Sequence, residues 1–236
     1  MKIGIIGAGH IGGTLARHLA KLGHQVSIAN SRGPETLKEL AAEIGASAVT
    51  VQEAARAGEI VIVSIPQKAV PDLPKGLFDG VPDDVVVIDT GNYYPELRDG
   101  RIDEIDQGML DSQWVSKHIG RPVIKVFNNI FAQSLLEKGA PKGSPKRLAL
   151  SVAGEPTDAK AVVLRLVDEL GFDPVDAGGL DESWRQQPGT PAYCRDLDAE
   201  SMKRALAEAD RSRIADYRAQ ADAQAKQFMA ASAKTA

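Results

Sequence analysis

An α/β fold built on a doubly wound parallel sheet is predicted, followed by a small C-terminal extension that ends in a long helix. Three observations predict it. Short apolar, β-branched runs recur from residue 2 onward and alternate with helical patterns, as parallel strands covered on both faces do. Gly7, Gly9 and Gly12 stand in G-x-G-x-x-G spacing between the first such run and the first helical pattern, which makes the sheet Rossmann-type. The stretch over residues 198–231 is alanine-rich and charged, the composition of one long helix or two.

Residues 2–6 read as a fully buried strand. Each glycine after it has its own job. Gly7 permits the tight turn, Gly9 lets backbone approach a pyrophosphate, and Gly12 lets the next helix pack against the strand. That helix, residues 10–22, carries Ile11, Leu15, Leu19 and Leu22 as an apolar stripe. It offers its first N–H groups to phosphate and stops at Gly23. Residues 25–29 are the second strand, and Gly33-Pro34 turns the chain into a helix over 35–44. A short strand at 47–51 and a helical turn at 52–57 precede a strong buried strand at 59–64. A short helix at 68–73, a strand at 84–89, a helix at 112–119 and a strand at 122–127 complete a nucleotide-binding unit over residues 1–130. Residues 131–236 are expected to form a smaller C-terminal part that completes the site for the nucleotide's reaction partner. There, strands at 146–153 and 172–176 flank a helix at 157–170, with Ala161, Leu164, Val167 and Leu170 on its apolar face. Residues 178–194 read as a loop, and the last few residues are expected to fray.

The nucleotide can be named from the end of the second strand. An NAD-binding loop places Asp or Glu there for the ribose 2′-OH. This chain has Asn30, 18 residues past Gly12, followed by Ser31 and Arg32. Asn30 removes the repulsion a carboxylate would exert on a 2′-phosphate. Ser31 donates a hydrogen bond, and Arg32 offers a bidentate fork. NADP(H) is therefore expected over NAD(H).

Composition narrows the partners. The chain has 236 residues, 43% of them hydrophobic, a net charge of −4 and a pI near 5.6. Nucleic acid and anionic membranes are poor partners for such a charge. No run approaches a membrane span, and no leader peptide is expected, since the first strand starts at once. Cys194 is the sole cysteine, which suits a reducing, cytoplasmic setting. The histidines show no metal-ligand spacing, so no metal is expected.

Ligands of open α/β sheets sit at the C-terminal strand ends. Those ends carry small or amide-bearing residues: Ser64-Ile65-Pro66, Asn92, and Asn128-Asn129. Such groups can hydrogen-bond a ribose or a carboxamide without adding charge. His10 and Ile11, within the glycine loop, join the cofactor-binding candidates. The loop around Trp184, Arg185 and Tyr193 is rich in aromatic, amide and guanidinium groups and suits a flat polar ligand, or else packs the C-terminal helix onto the sheet. No catalytic acid, base or nucleophile motif is present. None of the four tyrosines has Lys at +4. Hydride transfer to a conjugated acceptor can proceed by orienting two rings.

Residues 5–12, 24–32, Val63-Ser64-Ile65-Pro66, 88–92 and Lys125-Val-Phe-Asn-Asn-Ile130 together resemble the coenzyme F420-dependent NADP oxidoreductase family. So do Val152-Ala-Gly154, Lys160 and residues 168–176. The same unit is similar to the NADPH-binding domain of the STEAP metalloreductases. The likeness covers about residues 1–180. It implies that Gly7, Gly9 and Gly12 hold the pyrophosphate, Ser31 and Arg32 the 2′-phosphate, and Ser64, Ile65 and Pro66 the nicotinamide side. Asn128 and Asn129 would line the cleft. It also implies a small-molecule acceptor (F420, or FMN or FAD), a cytoplasmic location and a homodimer. The loop from Trp184 to Tyr193 departs from the family pattern, so two other readings stay open. One is a reductase of an imine or oxo compound. The other is an NADP(H)-binding sensor without turnover.

Overall fold

The computed structural model describes residues 1–232, with side chains to residue 227. Six parallel strands form the main sheet: β1 (Lys2–Ile6), β2 (Gln25–Ala29), β3 (Ser47–Ala48), β4 (Ile60–Val63), β5 (Val86–Asp89) and β6 (Ile124–Lys125). Their spatial order is β3-β2-β1-β4-β5-β6. The order reverses beside β1, so the C-terminal ends of β1 and β4 part into a crevice.

Ile3 lies beside Val26 and Ile60, and Ile5 beside Ile28 and Ile62. Successive residues point to opposite faces. One face meets Leu15 and Leu19 of α1 (His10–Lys21), and this cluster continues into the C-terminal part through Leu150, Val163 and Leu166. The other face, with Ile6, Val61, Val63 and Val87, is covered by Ala54, Trp114 and Val115. Burial on both faces is why these strands read as unbroken apolar runs.

Several helices between strands are shorter than their sequence patterns. A 3-10 turn at Pro34–Leu37 leads into α2 (Lys38–Ile44). The predicted strand at 47–51 stops at Ala48, because Thr50 caps α3 (Val51–Ala55) in a reciprocal capping box with Glu53. Helix α3 then rides on β1, where a Cβ on Gly4 would come within 1.9 Å of the Ala54 carbonyl oxygen. The segment at 68–73 is a 3-10 turn, Gln67–Asp72. Three elements had no sequence signal: a π turn at Pro95–Asp99, α4 (Asp103–Asp106) and, after α5 (Asp111–Ile119), α6 (Ala132–Glu137).

β6 is two residues long because Phe127 takes φ 63°, a left-handed conformation that ends extended structure. On its outer side, Lys125 bridges antiparallel to Ala153, which ties on a second sheet of two parallel strands, β7 (Ala149–Val152) and β8 (Asp173–Asp176). β7 starts later than expected because Lys146 is left-handed, φ 57°. Between them, α7 (Thr157–Glu169) buries Val163, Leu166 and Val167, with Leu170 buried at its C-cap, while Ala161 and Leu164 are half-buried. The stripe is thus rotated from the expected one, since both registers are apolar and this one turns the larger set inward. The loop at 178–194 contains a 3-10 segment, Leu180–Gln186. The charged tail forms two helices, α8 (Ala199–Glu208) and α9 (Ile214–Ser232), broken where the Asp210 carboxylate caps the Ser212 N–H at 2.9 Å. The predicted fraying concerns residues outside those described. Among the described residues, no helix is long and apolar enough to cross a membrane.

Candidate active site

Two cavities, each of about 620 Å³, open along the C-terminal strand ends. The first is lined by Gly7, Gly9, Asn30, Ser31, Arg32 and Ser64-Ile65-Pro66. Gly7 has φ 113°, and a Cβ there would strike the Ser64 carbonyl oxygen at 2.1 Å. A Cβ on Gly12 would lie 2.0 Å from the Gly7 carbonyl oxygen. These two glycines are demanded by the chain itself. Gly9 is not: its φ is −75°, and nothing lies within 4 Å of where its Cβ would be. It caps α1 without any side-chain hydrogen bond, and the first turn of α1 has no acidic residue. Among the described residues, no side chain thus caps the first N–H groups of α1, which suits them to cradle an anion.

Asn30 lines this cavity and also organises the adjacent loop. Its Oδ1 accepts the Arg32 N–H at 2.9 Å, and its Nδ2 donates to Thr36 Oγ1 at 2.9 Å. Ser31 and Arg32 are exposed at the mouth. Among the described residues, the Arg32 guanidinium has no hydrogen-bond or ion-pair partner, whereas Arg17 and Arg147 are paired. His10 is exposed at the start of α1 and does not line the cavity; Ile11, one residue on, lines the second cavity instead.

Asn92, Asn128 and Tyr193 also line that second cavity, with Gln220 and Gln224 of α9. Asn128 Nδ2 donates to Asn92 Oδ1 (3.1 Å) and to the Gln186 carbonyl (2.7 Å). Gln186 Nε2 returns a bond to Asn128 Oδ1 at 2.9 Å. This interlock of amides fixes the cavity floor. Three expected acceptor residues lie elsewhere. Trp184 is 3% exposed and packs with Leu110 and Ala209. Arg185 stacks over the Trp184 ring, bonds the Glu182 carboxylate and donates to the Leu206 carbonyl. Asn129 is buried and donates to Ser151 Oγ at 3.0 Å. The first two satisfy one another in a packing role, which their composition alone does not separate from ligand binding.

The sequence reading missed the buried charges behind the site. Lys125 Nζ pairs with Asp89 Oδ2 at 2.9 Å, and Ser112 Oγ donates to the same oxygen at 2.8 Å. Asp111 meets Arg218 of α9 at 2.8 Å, although burial pushes the Asp111 carboxyl up. A lysine inside an apolar strand is the signal that could have found the first pair, because a buried charge needs a partner.

Known proteins resemble this chain in sequence and fold. Residues 2–93 match the family described as NADP oxidoreductase, coenzyme F420-dependent. The match ends in the turn after β5, so Lys125–Asn129 lies beyond it. The hypothetical protein SMa0349 of Sinorhizobium meliloti is 32% identical and superposes with a TM-score of 0.65, covering 78% of this chain and 88% of that one. A candidate F420-dependent NADP reductase from Arthrobacter sp. FB24, 22% identical, superposes with a TM-score of 0.62 over 78% of this chain and 87% of that one. Protein YjhV of Escherichia coli K12 is 53% identical over 66 residues, 28% of this chain, and the match spans about half of that protein's length (48%).

Proposed function

Since this chain belongs to the family of coenzyme F420-dependent NADP oxidoreductases, we propose that it transfers hydride between NADP(H) in the glycine-lined cavity and a planar deazaflavin or flavin in the adjoining one. The observation that carries the reading is Gly9, a glycine for which the protein alone has no need, at the foot of an uncapped helix. The residues present fit NADP(H). Gly7, Gly9 and the first N–H groups of α1 would hold the pyrophosphate. Ser31 and Arg32 would hold the 2′-phosphate on the loop that Asn30 shapes. Ser64, Ile65 and Pro66 would flank the nicotinamide, which supplies the hydride. The described part of the chain after residue 130 would close the acceptor side, with Asn92 and Asn128 as its floor and α9 as its outer wall. A cytoplasmic homodimer is proposed with this reading, and sedimentation of the purified chain tests the dimer.

Incubation with NADPH and F420, FMN or FAD, followed at 340 nm, tests the activity. Oxidation with a deazaflavin or flavin is expected. NADPH binding with no oxidation by these acceptors would favour a sensor. Oxidation only with an imine or an oxo compound would move the acceptor to that class.

A further inference from the structure

Tyr94, in the turn after β5, and Tyr193, ahead of α8, meet on the wall of the second cavity with their hydroxyl oxygens 2.6 Å apart. Two phenols carry two O–H protons, and this contact uses one of them. Among the described residues, the one further side chain that hydrogen-bonds either hydroxyl is the Cys194 thiol, beside Tyr193. The second O–H thus has only a sulfur to meet, a weak acceptor that a ring nitrogen or carbonyl would displace, beside a cavity large enough for a ring system.

The pair is firmly held from both sides. The Tyr94 N–H donates to Asp99 Oδ2 at 2.8 Å, and the Arg98 guanidinium lies 5.7 Å from the centre of its ring. Tyr193 is followed by Cys194 at φ 49°, whose N–H donates to the Asn129 carbonyl at 3.0 Å. Phe127, on the same cavity wall, is also left-handed. Two non-glycine residues in this conformation on one wall mark a place where geometry is held at the expense of backbone ease. Arg98, Cys194, Arg195 and Asp222 are the ionisable groups around the pair. Burial raises both phenols above their ordinary range, Tyr193 well above it, so both stay protonated at neutral pH.

We propose that Tyr94 and Tyr193 together form the proton donor to the hydride acceptor, which is thereby a ring with a hydrogen-bond-accepting nitrogen or carbonyl beside its reducible atom. The inference rests on the hydride-transfer reading above. The acceptor gains a hydride, with its electron pair, from NADPH, which leaves as NADP+. The negative charge this places on the acceptor's nitrogen or carbonyl oxygen is taken up by the phenolic proton. Solvent returns a proton to the phenolate through its partner hydroxyl. The net change is acceptor plus NADPH plus one proton to reduced acceptor plus NADP+.

The test compares wild type, Tyr193→Phe and Tyr94→Phe with F420 and with FMN as acceptors. Each phenylalanine should lower kcat about 100-fold, the order expected for loss of a general acid. The NADPH dissociation constant and the melting temperature should stay close to wild type. Should kcat in both variants remain within a few-fold of wild type, the donor assignment fails while hydride transfer stands. Loss of NADPH affinity in step with kcat in both would make the tyrosines structural and also overturn the assignment. A wild type that oxidises NADPH with neither acceptor overturns the hydride-transfer reading and this inference with it. If one variant does not fold, the other decides, because the pair needs both hydroxyls.

Discussion

Gly9 and Gly12 sit in one motif and answer to different constraints. Gly12→Ala would drive a Cβ into the Gly7 carbonyl, so the helix must shift, at roughly 1–3 kcal/mol. Gly9→Ala meets open space at an ordinary φ, so its melting temperature should equal or slightly exceed that of wild type. NADPH affinity should nevertheless fall about tenfold or more, because the methyl occupies the pyrophosphate's approach. Thermal melts and fluorescence titration of both variants check this; equal NADPH affinity in Gly9→Ala would remove the cradle. Arg32→Ala should weaken NADPH by about 10- to 100-fold and leave NADH unchanged, matching the roughly 1.5–3 kcal/mol of hydrogen bonds to a charged group. Dissociation constants for both nucleotides decide it. These residues were legible in the sequence because they share one strand–turn–helix and the loop of the next strand. Tyr94 was not, because 99 residues separate it from Tyr193 and only the fold joins them.

Among the elements, the second sheet depends on Arg147. Its guanidinium is buried and donates to the carbonyls of Ala140, Gly171 and Asp168 and to the carboxylates of Asp168 and Asp173. It thereby ties the segment before β7 to the end of α7 and the start of β8. Arg147→Ala leaves those groups without their donor and should cost roughly 2–4 kcal/mol, the carboxylates being partly open to water. Lysine should not restore the loss, since it lacks the planar fork. Arg147 and Lys142 hold the Asp168 carboxyl below its ordinary value. That stabilisation is complete above the unfolded carboxyl's pKa of about 3.9 and disappears as pH falls through the lower folded value. The difference in melting temperature between wild type and Arg147→Ala should therefore be full at pH 5–7 and shrink in stronger acid; a constant difference would refute it. Arg147 has no sequence signature, since its partners are mostly backbone carbonyls. The π turn, α4 and α6 were illegible for another reason: four to six residues are too few for a helical period to emerge.

Across the whole molecule, α9 walls the second of the two cavities and leaves the first untouched. It supplies Gln220, Ala221, Gln224 and Ala225 to the second cavity and none of the residues lining the first. Three contacts seat it. Arg218 pairs with buried Asp111, the Leu97 N–H donates to Asp222 Oδ1 at 3.0 Å, and Gly189 lies so close that a Cβ would be 2.0 Å from the Tyr217 carbonyl oxygen. The sequence announced a helix here but not its seat, because an alanine-rich, charged surface has no single apolar face to betray what it covers. Arg218→Met removes one charge of a buried pair and leaves the other, a change of the order of 3–5 kcal/mol. Asp111 already lies above the ordinary carboxyl range by burial, and without Arg218 it would move higher and take up a proton. The helix should then loosen at the acceptor side alone. NADPH affinity should stay near wild type while KM for FMN rises about tenfold, the equivalent of ~1.4 kcal/mol. Replacing both charges, Asp111→Leu with Arg218→Met, should recover much of the stability and of the KM, because no buried charge is left unpaired. A double variant as impaired as the single one would mean that the ion pair, and not the seating of α9, shapes the acceptor cavity.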